Sequence, residues 1–176
     1  LWNIWMTLVN QFKPAFTRQR TFFWLVTIIM GFTIKFDSLG VTSIARGVRL
    51  LPGYYTCMLN FFYSTAVNLE ALQSLWIKVV FQFSSLVKIN GRFLIAGDGI
   101  KIGKEGKKMP GVKWLHQESE SNSKAEYIMG HSIQAVSIVA KVVSTGFSIP
   151  LVGKIHYGIR FNYKDGRTLL DKMFEM

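Results

Sequence analysis

Residues 91–102, GRFLIAGDGIKI, are where this 176-residue chain changes character. Apolar residues there alternate with small or polar ones between bounding glycines, which is the period of a strand and not of a helix. Before this stretch, from Trp2 to about Leu86, aromatic and aliphatic side chains recur at three- and four-residue spacing, the mark of helices. After it, the β-branched runs Ile128–Val143 and Phe147–Ile159 read as further strands. The expected fold class is therefore α+β, with a helical amino-terminal domain over residues 1–88 and a sheet-forming domain over residues 89–176.

Within the helical half the clearest element opens at Asn68, a good N-cap with Glu70 in the first turn. It carries Leu69, Leu72, Leu75, Trp76, Val79, Val80 and Phe83 as one apolar face. Upstream, Val41–Leu51 runs into Pro52-Gly53, a stop and turn signal, and a second apolar segment, Tyr54–Tyr63, follows. Two readings of this helix pair stay open. It forms a helix-turn-helix reader of DNA with Arg46 and Arg49 on phosphates, or it is ordinary packing, which the aromatic second segment favours. Lys13, Arg18 and Arg20 precede the first acid, Asp37, and are further candidates for backbone phosphate contact. In the second half GKEGKK, residues 103–108, reads as a polar turn and 117–124 as a polar loop. Asp165-Gly166 reads as a turn and residues 168–176 as a helix.

Hydrophobic residues make up 49% of the chain and aromatics 14%, enough apolar surface to build a core. Twenty-one Lys and Arg against ten Asp and Glu leave a formal charge of +11, which favours polyanionic partners: nucleic acid or an anionic membrane surface. The uncharged stretch Thr21–Ile34 suits a buried helix better than a crossing, since a span needs about 20 apolar residues. Pro52, Gly53, Asn60 and Asn68 interrupt the longer uncharged run that follows. No signal-peptide pattern stands at Leu1, and the absent start methionine reads as a fragment. Cys57 is the single cysteine, so no intrachain disulfide forms, a cytoplasmic location is expected, and the residue reads as a small buried hydrophobe.

Asp98 is the candidate for chemistry. A carboxylate on a central strand is costly unless paired, and a divalent cation held by oxygen ligands is one such partner. The competing reading is a turn, because Asp-Gly between apolar segments is also a hairpin signal. His116, His131 and His156 lack metal-binding spacing and read as hydrogen-bonded structural residues. The glycines Gly97, Gly99, Gly103 and Gly106 lack the Gly-Lys-Ser/Thr ending of a phosphate loop, so no nucleotide cofactor is expected.

Residues 93–138, FLIAGDGIKIGKEGKKMPGVKWLHQESESNSKAEYIMGHSIQAVSI, resemble the opening of the catalytic domain in a group of bacterial insertion-sequence transposases with a DDE endonuclease. FTRQRTFFWLV (16–26) and FDSLGVTSIARGVRL (36–50) resemble the amino-terminal region of the same group. The resemblance implies an RNase H-like mixed sheet, of which this chain carries the first strands. It also implies Asp98 as the first member of an Asp, Asp, Glu triad and as a ligand of Mg2+ or Mn2+. DNA is the implied partner, as transposon ends and target, in a nucleoid-associated protein for which self-association is a further expectation. Lys101, Lys104, Lys107, Lys108 and Lys113 are expected to draw phosphates beside Asp98, without reading sequence. In that family the second aspartate stands at the end of a later strand and the glutamate, later still, on a helix. Asp165, Asp171, Glu118, Glu120 and Glu126 are not given those roles and read as surface acids. One carboxylate cannot fix two metal ions, so strand cleavage is expected of the intact enzyme and not of this chain. The rival expectations are a non-enzymatic DNA-binding fragment that inhibits full-length transposase, and a basic membrane-peripheral protein.

Overall fold

The computed structural model describes residues 1–35, 37, 40–104, 109–116, 126–156 and 169–176. The chain divides into two compact units, Leu1–Gln82 and Phe83–Met176. The first is helical and the second is built on an antiparallel sheet, so the protein is α+β.

In the first unit α1 (Trp2–Asn10) and a short 3-10 turn (Lys13–Ala15) lead into α2 (Gln19–Ile34). Next come α3 (Val41–Gly47), α4 (Pro52–Phe61) and α5 (Leu69–Phe83). Asn68 caps α5 as its side chain predicts: Oδ1 accepts the Ala71 N–H at 3.0 Å. Pro52-Gly53 behaves differently from the expected stop. Pro52 is the first residue of α4, where its missing N–H costs nothing and its fixed φ already suits a helix. The stop lies earlier, where Arg49 at φ 51° turns the end of α3. Arg49 N–H then bonds the Arg46 carbonyl at 3.0 Å and Leu50 N–H the Ala45 carbonyl at 2.8 Å, the paired bonds of a Schellman ending.

Two apolar clusters hold the unit together. Val9, Phe12, Phe22 and Val79 are buried with Trp5, Phe16 and Trp76 packed around them. Ile28, Ile44 and Met58 form the other, with Trp24, Leu50 and Phe61 against it. Met58 is 0% exposed, a burial worth about 2 kcal/mol. Gly31 lets α2 and α3 approach, since a Cβ there would run into the Ile44 side chain.

The second unit opens with the small hairpin β1 (Lys88–Ile89) and β2 (Arg92–Phe93). β3 (Ile95–Gly103), β4 (Lys113–His116), β5 (Tyr127–Val142) and β6 (Thr145–His156) then form one sheet, and α6 (Leu169–Phe174) follows. β5 is the spine. β3 runs antiparallel along it from Ile95↔Ile138 to Gly103↔Gly130. β4 pairs Gly130 from the other side, and β6 continues on that side from Ser132↔His156 to Val142↔Thr145. β6 slips register once, between Val136 and Ser137. A two-residue turn, Val143-Ser144, closes the β5–β6 hairpin, with Val143 at φ 55°. The β-branched runs thus form the long strands their composition predicts, because strand backbone accommodates side chains branched at Cβ.

Candidate functional site

Asp98 lies in the middle of β3, facing Ala135 across the ladder, and its strand runs straight through Asp98-Gly99. The hairpin reading of that dipeptide is therefore overturned: nine consecutive ladder pairs leave no room for a turn there. The Asp98 side chain bonds locally, Oδ1 accepting the Gly99 N–H at 2.7 Å. The expectation of a central, desolvated strand is also corrected. β3 borders the sheet among the described residues, and Asp98 is exposed, so solvation alone suffices for its charge.

Strand alternation decides what surrounds it. Side chains at 96, 98, 100 and 102 share one face of β3, and those at 95, 97, 99 and 101 share the other. α6 lies over the second of these, since a Cβ on Gly97 would come within 3.1 Å of Met173 Sδ. Asp98 therefore projects from the face opposite α6. Its neighbours across the sheet are small, Ala135 and then Gly153, with Ile100, Ile133 and Ile155 in the adjacent column.

Pleat and register separate the lysines from the aspartate. Lys101 and Lys113 belong to the α6 face, and the Lys101 Nζ donates to the His116 carbonyl at 2.7 Å. The charges of Lys101 and Lys113 are thus turned away from Asp98, because a strand sends successive side chains to opposite sides. Lys113 is half-buried, and desolvation followed by the nearby Lys172 charge lowers its pKa. His156 on the same face is lowered too, first by desolvation and then by Lys113 and Lys172. Lys104 is exposed just past the end of β3, its N–H bonded to the Met129 carbonyl at 2.8 Å. Lys107 and Lys108 lie outside the described residues, as do Glu118, Glu120 and Asp165.

In the helical unit Arg46 ion-pairs with Asp37 at 3.0 Å, and the Ser43 hydroxyl donates to the same carboxylate. Arg49 is exposed at the end of α3. His131 is buried with Nε2 2.8 Å from the Pro110 carbonyl, and His116 stands 3.6 Å from Glu126. Cys57 is half-buried.

Among the described residues no three His, Cys, Asp or Glu side chains converge in a manner suited to a metal ion. Asp98 supplies one carboxylate, and its exposed, locally bonded oxygens do not by themselves fit a two-ion centre. Nor is any helix among the described residues long and apolar enough to cross a membrane. No family model, curated protein or solved structure matches the chain.

Proposed function

We propose that this chain is part of an insertion-sequence transposase, a metal-dependent enzyme that cuts and joins DNA through an RNase H-like carboxylate site. The observation that carries this reading is the position of Asp98, mid-strand on the first long strand of an antiparallel meander. β3, β5 and β6 follow one another in space, and a helix, α6, comes next in the chain. That arrangement agrees with the opening of an RNase H-like sheet, in which the first carboxylate stands on the first strand. The resemblance of residues 93–138 supports the same residue on separate grounds.

Asp98 is then one ligand of Mg2+ or Mn2+, and when bound the ions supply electrophilic stabilisation of the attacking and leaving oxygens of a phosphodiester. The described residues do not complete that centre, so no step is derived through it. The basic charge has its own role, drawing DNA by phosphate contact, and the protein acts in the cytoplasm on the nucleoid. A non-catalytic, DNA-bound regulator is the second reading. It is favoured by the exposed, locally bonded Asp98, which is joined by no group of three metal-ligating side chains among the described residues.

Manganese broadening of amide resonances tests the proposal. Mn2+ is expected to broaden Gly97–Gly99 selectively, Asp98→Asn is expected to abolish the effect, and duplex DNA binding is expected to weaken as salt rises. Broadening that persists in Asp98→Asn, or duplex binding indifferent to salt, overturns it.

A further inference from the structure

The helical unit holds a cleft of about 440 Å³ at the start of α2, within the size range of small-molecule pockets. Each of its polar side chains can donate a hydrogen bond, Arg18, Arg20, Thr21, Asn60 and Ser64 among them, and no acidic residue lines it. Trp24 and Phe61 give it aromatic walls, and Phe61 is braced by Phe16 with ring centroids 6.5 Å apart. The cleft is held by backbone bonds. Thr17 N–H bonds the Ala66 carbonyl at 3.0 Å and Asn68 N–H the Ala15 carbonyl at 2.9 Å, which pins the segment after α4 beside the start of α2.

Three features favour an anion in the cleft. Arg18 is the N-cap of α2 and Arg20 lies in its first turn, where the helix dipole repels cations, and α2 has no acid there to compensate. Thr21 is 8% exposed, yet no described residue engages its hydroxyl, which opens on the cleft. Ser64 Oγ accepts the Ala66 N–H at 3.2 Å, leaving its own proton to donate outward. An anion with several acceptor oxygens answers all three.

A second cleft of about 300 Å³ shares Arg20 and Trp24 with the first and is lined by Phe23 and Tyr54, both half-exposed rings. Phosphate-seeking donors beside open aromatic faces, repeated over two adjoining clefts, form the pattern of a single-stranded nucleic-acid track. A duplex offers its phosphates but keeps its bases stacked inside, so it cannot fill aromatic-walled clefts.

We propose that these clefts bind two successive unstacked nucleotides of a DNA strand, with a phosphate between Arg18, Arg20, Thr21 and Ser64 and the bases against Trp24 and against Phe23–Tyr54. The choice of DNA as the source of the nucleotides rests on the function proposed above; the clefts' chemistry does not.

Fluorescence anisotropy with a short labelled thymidine oligonucleotide, a blunt duplex of similar charge, and thymidine monophosphate as competitor tests this. Arg18→Ala/Arg20→Ala is expected to weaken strand binding at least about ten-fold and to reduce the salt slope by about 1. Tyr54→Ala is expected to weaken it about five-fold or more, and Thr21→Val about three-fold. Lys78→Ala/Lys141→Ala removes the same charge from exposed sites outside the cleft and is expected to change little. Circular dichroism confirms that each variant is folded. Equal losses from the two double variants, or a duplex bound as tightly as the strand, overturn the cleft while leaving the DNA reading intact. Binding of the monophosphate but of no strand keeps the site and sinks the DNA source. No binding of any of the three overturns both.

Discussion

The helical unit is the richer of the two in apolar residues, and the two units bury theirs in different ways. In the helical unit the large side chains close on one another from several directions, around Met58 and Ile44 in one cluster and Phe22 and Val79 in the other. In the sheet unit burial is concentrated on the spine, at His131, Gln134, Ile138 and Ala140, while every residue of β3 except Ile102 is exposed. A helix bundle buries side chains wherever two helices meet. A sheet buries them only where a face is covered, and among the described residues α6 contributes a single short helix to one face. The part of the chain that carries Asp98 is thus the less enclosed of the two.

The contrast is most directly broken at Gly130. A Cβ there would collide with the Ile102 carbonyl, so Gly130→Val is expected to strip β3 from β5 at a cost on the order of 4 kcal/mol. Amide hydrogen exchange should lose β3 protection while α2 and α5 keep theirs; loss in both units would show that they are not separate cores. Met58→Ala probes the other unit, with an expected cost of about 3 kcal/mol in chemical denaturation and no change in β5 protection. Arg49→Gly runs the opposite way. Relieving a left-handed arginine at the end of α3 is expected to stabilise the helical unit by about 1 kcal/mol, and a drop in duplex affinity alongside that gain would give Arg49 a role in binding.

The smallest effect is one of pH and belongs to the sheet unit. His156 is lowered from its ordinary 6.5, so in the window below that value the unfolded chain takes up a proton that the folded one resists. Stability is therefore full above about pH 6.5 and declines as pH falls through the unfolded pKa towards the folded one. His156→Gln is expected to flatten that decline in thermal melts, and Lys172→Met to shrink it by removing a repelling charge. A decline unchanged in both variants would place its source elsewhere.

How much of this was legible in the residues differs by level. The Asn68 cap and the long strands β5 and β6 follow from local chemistry, a side-chain acceptor in one case and branching at Cβ in the other. Pro52 was legible as punctuation but not as to which side of it the helix lies, since proline suits both the end of one helix and the first turn of another. Lys101 and Lys113 looked adjacent to Asp98 in sequence. Only the register of β3 and β4 on β5 reveals that they take the other face. The cleft was the least legible, because α2, α4 and the segment after α4 each contribute to it and no single stretch carries its pattern. The one local hint was a pair of arginines opening an apolar helix.

The turn at Val143-Ser144 has a practical consequence. A two-residue hairpin turn needs the left-handed backbone that Val143 adopts at φ 55°, but a β-branched side chain disfavours it, so the pairing of β5 with β6 is set more by the strands than by the link between them. With Val143 91% exposed, an affinity tag or fluorescent reporter spliced in at that point should leave both strands aligned, giving a handle on the sheet unit far along the chain from the arginine-lined cleft.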